Sequence, residues 1–159
     1  MNIGHFYFLK PKYFLDYPSS TLMNNRAELD MQEHKRPCFC AFTENNSIFW
    51  LVPISSKVDK FEKVYQEKIK RYGKCDTIDF CYILGRKKAA LIQNMCPVTE
   101  EYILNEYLDP HNNPVQICDK NRKRIISKAK KVLILQRKGI DLLFGNVLEI
   151  EKKLLRPDI

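Results

Sequence analysis

PCFCAFTENNSIFWLVPISSK, residues 37–57, carries the architecture of the chain. Residues 37–43 and 47–53 are two apolar, aromatic-rich runs of strand length. Between them stand Glu44, Asn45 and Asn46, and asparagine tolerates the left-handed backbone angles of a tight turn. The stretch therefore predicts an antiparallel hairpin. Its second strand runs into Pro53-Ile54-Ser55-Ser56-Lys57, where the apolar spacing changes to that of a helix, with Val58, Phe61, Val64, Tyr65 and Ile69 on one face and Gly73 as the stop. Ser55 or Ser56 can cap this helix, and Asp59 follows Ser56 at capping-box spacing.

Towards the N-terminus, residues 18–36 are polar and read as a long loop with some local helix. A loop of that length is more often functional or mobile than merely connective. Before it, residues 11–17 open with Pro11, as a short helix does, and residues 3–9 read as a strand. Towards the C-terminus, residues 76–83 and 88–95 form a second hairpin turning at Gly85. Thr99 then caps a helix whose first turn holds Glu100 and Glu101. After the breaks at Asp109-Pro110 and Asn113-Pro114 comes a basic helix, 119–138, docked by Ile125, Ile126, Ala129, Val132 and Leu133 and closed by Gly139. A last helix covers 141–155, with Leu143, Val147, Ile150 and Leu154 inward. Strands that pair locally, without crossover helices between them, imply an α+β fold with an antiparallel sheet. A small, strongly bent antiparallel barrel with surrounding helices is its natural closed form.

The chain of 159 residues has the size of one domain, 1–159. Its net charge of +8 favours a polyanionic partner, nucleic acid above all. No apolar stretch has the length of a signal peptide at the start or of a membrane span anywhere, which points to the cytoplasm and to reduced thiols. The six cysteines form no CxxC pair and no histidine stands at zinc-ligand spacing, so they read as buried structural thiols, with no metal and no cofactor expected. GxGxxG, P-loop, HExxH and nucleophile-elbow motifs are all absent.

Chemistry concentrates at the strand-to-helix junction. Ser55, Ser56 and Lys57 bring hydroxyls and a mobile cation to a helix N-terminus, whose free N–H groups attract anions. The bland alternative is an ordinary helix cap beside an exposed lysine. Antiparallel pairing brings the start of the first hairpin strand beside the end of the second, so Arg36, at the end of His34-Lys35-Arg36, falls close to Ser55, Ser56 and Lys57. A third signal is the basic helix: Lys120, Arg122, Lys123, Arg124, Lys128 and Lys131 crowd a segment with Asp119 as its only acid, a surface suited to RNA phosphates. Tyr13 reads either as a site residue or as a core aromatic.

Taken together, Phe6-Tyr7-Phe8-Leu9-Lys10-Pro11-Lys12-Tyr13, Arg36-Pro37-Cys38-Phe39, Pro53-Ile54-Ser55-Ser56-Lys57 and Ala90-Leu91-Ile92-Gln93-Asn94-Met95-Cys96-Pro97-Val98 resemble, in order and spacing over about residues 4–155, the ToxN/AbiQ family of type III toxin–antitoxin systems. The resemblance implies a fold of MazF/Kid toxin type and metal-independent endonucleolytic cutting of RNA. It implies an antitoxin RNA of pseudoknot repeats that the toxin trims, a closed ring of alternating toxin and RNA, and a role in phage defence by abortive infection. It places the active site on Tyr13, Arg36 (with Lys35 as the near alternative), Ser55, Ser56 and Lys57. Many members carry threonine-serine at the serine pair. In some the lysine falls one place later, at Val58 here, and Lys60 then offers the substitute cation. The chemistry expected is transesterification, in which the ribose 2′-hydroxyl attacks its own phosphate and leaves a 2′,3′-cyclic phosphate. His34 is a further possible base. The alternatives from other classes are a non-catalytic basic nucleic-acid-binding module and a MazF-type toxin with a protein antitoxin.

Overall fold

The computed structural model describes residues 1–18 and 36–156. The long polar segment, with His34 and Lys35, lies outside the described residues. Strand β1 (Phe6–Leu9) leads into helix α1 (Pro11–Asp16), started by Pro11 as expected. The hairpin comes next as β2 (Cys38–Glu44) and β3 (Ile48–Ser55). Asn45 and Asn46 adopt φ 56° and 57°, the left-handed conformation the turn requires. Ala41 is the extra residue of a bulge, since Cys40 pairs with Leu51 and Phe42 with Trp50. Helix α2 (Val58–Tyr72) ends at Gly73 in the left-handed conformation, whose N–H bonds to the Ile69 carbonyl.

The second hairpin is β4 (Asp79–Ile83) and β5 (Arg86–Ala90). It is shorter than its sequence suggests, because Ile92–Asn94 turn in a 3-10 helix held by the bond from Gln93 N–H to the Thr77 carbonyl. Two further strands were not expected: β6 (Cys96–Val98) beside β3, and β7 (Ile103–Glu106) beside β1. The helix expected after Thr99 is a single 3-10 turn, Glu100–Tyr102. Ile103 then joins Leu9 in the sheet, and pairing with β1 overrides the acidic helix start.

Helix α3 (Asp119–Arg137) matches the basic helix, with Ile125, Ala129, Val132 and Leu133 buried. Helix α4 (Val147–Leu155) starts six residues late relative to the reading of 141–155. The Gln136 side-chain carbonyl accepts from the N–H groups of Leu142 and Leu143, which ties the preceding stretch to the end of α3.

The strand order is β4-β5-β3-β2-β1-β7, with β6 also on β3. The expected closed barrel is therefore corrected to an open, bent antiparallel sheet: among the described residues no ladder joins β4 to β7. One edge of β3 is divided, pairing with β6 at residues 49–51 and with β5 at 54–55, so the second hairpin bends away from the main sheet. All of β3 is buried, and the sheet covers its faces with helices instead of closing on itself. The cysteine reading needs one correction: five of the six thiols are buried, but Cys118 is exposed. Burial pushes the thiols of Cys38, Cys40 and Cys81 up to about 12, which keeps them protonated and inert. No helix among the described residues is long and apolar enough to cross a membrane.

Three elements are pinned by one ion-pair network. Arg137 donates to both carboxylate oxygens of Glu44 at 3.0 and 2.7 Å and to Glu151 at 2.7 Å, joining α3 to β2 and α4. The guanidinium holds the Glu44 carboxyl below its ordinary value of 4.5. A depressed carboxyl stabilises the fold fully above its unfolded value, and that contribution is lost as pH falls through the folded value. Burial raises Glu151, which works in the opposite sense. In urea unfolding, Glu44→Gln is expected to show a smaller loss of stability than the wild type between pH 5 and pH 3, about the range of an ordinary carboxyl.

Candidate functional site

The β2–β3 ladder builds the site. Cys38 pairs with Pro53, and Ile54 N–H donates to the Pro37 carbonyl at 3.1 Å. One step further the same register carries Arg36 alongside Ser55, as the hairpin pairing predicts. Alternation puts Leu51, Pro53 and Ser55 on one face of β3.

The two serines are not equivalent. Ser55 is fully buried, and its Oγ accepts the Lys57 N–H at 3.1 Å. It shapes the exit from β3. Ser56 and Lys57 are exposed at the bend, and Lys57, not a serine, occupies the N-cap of α2 without a side-chain cap. The capping-box reading is thereby corrected. The reason is that β3 continues through Ser55, which leaves the serines in the strand and the bend, ahead of the helix. Val58 N–H is taken by the Ser56 carbonyl at 2.9 Å and Phe61 N–H by the Lys57 carbonyl, while Asp59 and Lys60 contribute the N–H groups for which a helix start has no internal partner. The junction thus presents a hydroxyl, an ammonium and a helix N-terminus, with Arg36, half-buried, to the side. Asp59 adds a carboxylate on the first turn.

Ser55→Ala is expected to cost about 1 kcal/mol, the value of one local side-chain-to-backbone bond, measured by urea unfolding.

Tyr13 is placed differently from these residues. Its ring is fully buried and its hydroxyl donates to the Pro97 carbonyl at 2.7 Å, with Cys96 Sγ at 2.8 Å. Burial, reinforced by the Cys96 thiol, raises its hydroxyl well above the ordinary value, so the phenol is a fixed donor. Cys96 pairs with Leu51, so the phenol underlies the same face as Ser55 but four residues back along β3, on the order of 13 Å of strand. Tyr17 and Tyr102 pack on it at ring distances of 5.3 Å each.

The basic helix divides into two parts. Arg124 makes a paired bond to the buried Asp79 at 2.7 and 3.0 Å, Lys128 lies 3.4 Å from the same carboxylate, and Lys131 pairs with Asp76 at 2.8 Å. These three cations dock α3 onto β4 and the segment just before it and are not a free positive field, a correction to the picture of a helix with one acid. The sequence hid it, because Asp79 lies 45 residues from Arg124. Ile54, Ala90 and Asp79 form one row across β3, β5 and β4, and Ser55, Ala89 and Phe80 the next. Alternation turns the two rows to opposite faces, so this docked stripe lies behind the serine junction. Lys120 and Lys123 remain exposed, Lys123 and Arg122 both pairing with Asp119, and Lys60 is exposed over the Phe61 ring. Among the described residues no three His, Cys, Asp or Glu side chains gather as a metal ion would need.

No family model and no curated protein matches the sequence. In structure the chain is similar to AbiQ, a lactococcal anti-phage endoribonuclease belonging to the type III toxin–antitoxin system, with a TM-score of 0.53 at 15% identity, over 82% of this chain and 81% of that one. The chain has the fold of AbiQ, as the sequence resemblance implied.

Proposed function

We propose that this protein is an endoribonuclease toxin of a type III toxin–antitoxin system, comprising residues 1–159 as one toxin domain and acting in the cytoplasm. The observation that carries the reading is the exposed Ser56-Lys57 bend beside Arg36, on a fold shared with an endoribonuclease. RNA supplies its own nucleophile. The 2′-hydroxyl attacks the adjacent phosphorus, the bond to the 5′-oxygen breaks opposite to it, and the products are a 2′,3′-cyclic phosphate and a 5′-hydroxyl. One proton leaves the 2′-oxygen and one reaches the 5′-oxygen. The protein has to move those protons and stabilise the phosphorane charge.

Lys57 and Arg36 supply the positive charge. Ser56 donates to a non-bridging oxygen or relays a proton, and the helix N-terminus holds the phosphate. Ser55 and Tyr13 are positioning residues. Ser55 sets the direction of the Lys57 backbone, and Tyr13 ties α1 to the β6 end of the sheet. Lys60, Lys120, Lys123 and Arg122, together with Lys35, are the cations assigned to RNA, since the Asp119 that pairs with Arg122 and Lys123 is itself exposed; Arg124, Lys128 and Lys131 are tied to the less exposed Asp79 and Asp76. On this reading cutting needs no metal, and the inhibitor is a repeated RNA whose pseudoknots the toxin trims and with which it closes into a ring, protecting the host against phage.

The test is an RNA oligonucleotide that the protein cuts, compared with the same oligonucleotide carrying a single 2′-deoxyribose at the cleavage site. The substituted strand is expected to remain whole. Its cleavage would overturn the scheme, and binding of every RNA without any cutting would favour a non-catalytic module.

A further inference from the structure

The β4–β5 hairpin ends in a two-residue turn, Leu84-Gly85, with φ 50° and 81°. Just before it stands Tyr82, 60% exposed. Among the described residues its ring and hydroxyl have no hydrogen bond and no ring contact. An exposed tyrosine alone is ordinary. Its neighbours are what make this one informative.

Tyr82 pairs across the hairpin with Lys87. Ser55, Ala89 and Phe80 form the row below it on the same face. β5 is antiparallel to β3, so the step from that row to Lys87 and Tyr82 runs in the direction in which β3 gives way to Ser56 and Lys57. Contacts with α2 agree. Lys87 Nζ lies 3.7 Å from Glu62 Oε2, one turn into α2, and 5.0 Å from the Phe80 ring centroid. An unpartnered aromatic face thus stands at the rim of the candidate site, with Arg86 and Lys87 on its own hairpin, Glu62 of α2 paired with Lys87, and Lys57 in the direction in which β3 leaves the sheet.

We infer that Tyr82 is a stacking platform for an unpaired nucleobase of single-stranded RNA, flanking the phosphate held at the Ser56-Lys57 bend. A base offers a π-face to the phenol ring, and its backbone phosphates meet the surrounding cations. The tight turn holds the platform at low entropic cost, since its two residues already occupy the left-handed region that a type I′ hairpin needs. This deepens the proposed function and rests on it for the identity of the ligand.

The protein has a single tryptophan, Trp50, which is fully buried and donates to Glu44, so its emission is a steady background. Tyr82→Trp therefore places an exposed indole at the platform. Titrated with a ten-nucleotide adenosine RNA at low salt, Tyr82→Trp is expected to show emission quenching that the wild type lacks. By fluorescence anisotropy with the same labelled RNA, Tyr82→Ala should bind about five-fold or more weakly than wild type, while Tyr82→Phe retains affinity, because stacking contributes about 1–3 kcal/mol per base. Binding of the RNA without quenching, equal affinity of Tyr82→Ala and wild type, or no binding by wild type would each overturn the inference. Quenching and weakened Tyr82→Ala binding, in a protein that leaves RNA uncut, would support the platform while refuting the nuclease reading.

Discussion

Ser56→Ala is expected to lower the rate of RNA cleavage by about two to three orders of magnitude, the loss typical of removing one donor to a developing oxyanion. RNA affinity should stay close to wild type. Ser56 is exposed and its hydroxyl fixes no described element, so its removal leaves the junction folded. Lys57→Ala should lose activity on a similar scale and also weaken binding, because an ammonium attracts phosphate before as well as during reaction. Ser55→Ala provides the contrast. Its Oγ is buried against the Lys57 N–H, so the variant is expected to lose stability and to retain more activity than Ser56→Ala. Measured single-turnover rates and binding constants for the three variants separate chemistry from attraction. Equal activity of Ser56→Ala and wild type would remove Ser56 from the mechanism.

The largest effect on stability is expected at Asp79. Its carboxylate is 5% exposed in the side chain and faces Arg124 and Lys128. Removing one member of a buried charge cluster leaves the others without a partner, at a cost of about 3–5 kcal/mol. Arg124 is 39% exposed and regains water, so Asp79→Ala should fall near the lower end, about 3 kcal/mol. Arg124→Met should cost less than Asp79→Ala, since Lys128 still neutralises the carboxylate. It should also reduce RNA affinity less than Lys57→Ala does. Urea unfolding gives the first ordering and anisotropy the second. A stable Asp79→Ala protein would show that α3 is held by its apolar stripe alone.

Local chemistry made part of the fold legible. The two asparagines and the apolar runs around them specify the β2–β3 hairpin within a short stretch, and Gly73 and Gly139 end their helices where the spacing predicts. Strands β6 and β7 carried no such signal. Each has three or four residues, and β7 is defined by β1, from which it is separated by more than half of the chain. Thr99, Glu100 and Glu101 carry the residues of a helix start and do make one turn, but a distant strand then draws Ile103 into the sheet. Closure of the sheet was illegible for the same reason, since it depends on whether the two edge strands meet.

The candidate site was legible to the level of a segment. The hairpin register brought Arg36 to Ser55, and composition drew attention to Ser55-Ser56-Lys57. Which serine is buried could not be read there, because it depends on where β3 ends. Charge was the least transferable signal. A cation is free or neutralised according to acids that the fold brings to it, and Asp76 and Asp79 lie far upstream of the helix they serve. Tyr82 escaped notice because nothing in DTIDFCYI distinguishes a strand residue facing the core from one standing at the rim.

The most direct measurement is the end chemistry of cellular RNA incubated with wild-type protein and with Ser56→Ala in the presence of EDTA. Transesterification at the Ser56-Lys57 bend predicts fragments with 2′,3′-cyclic phosphate and 5′-hydroxyl ends from the wild type, and intact RNA from Ser56→Ala over the same interval. Fragments from both proteins alike, or RNA left whole by a wild type that binds it, would contradict it.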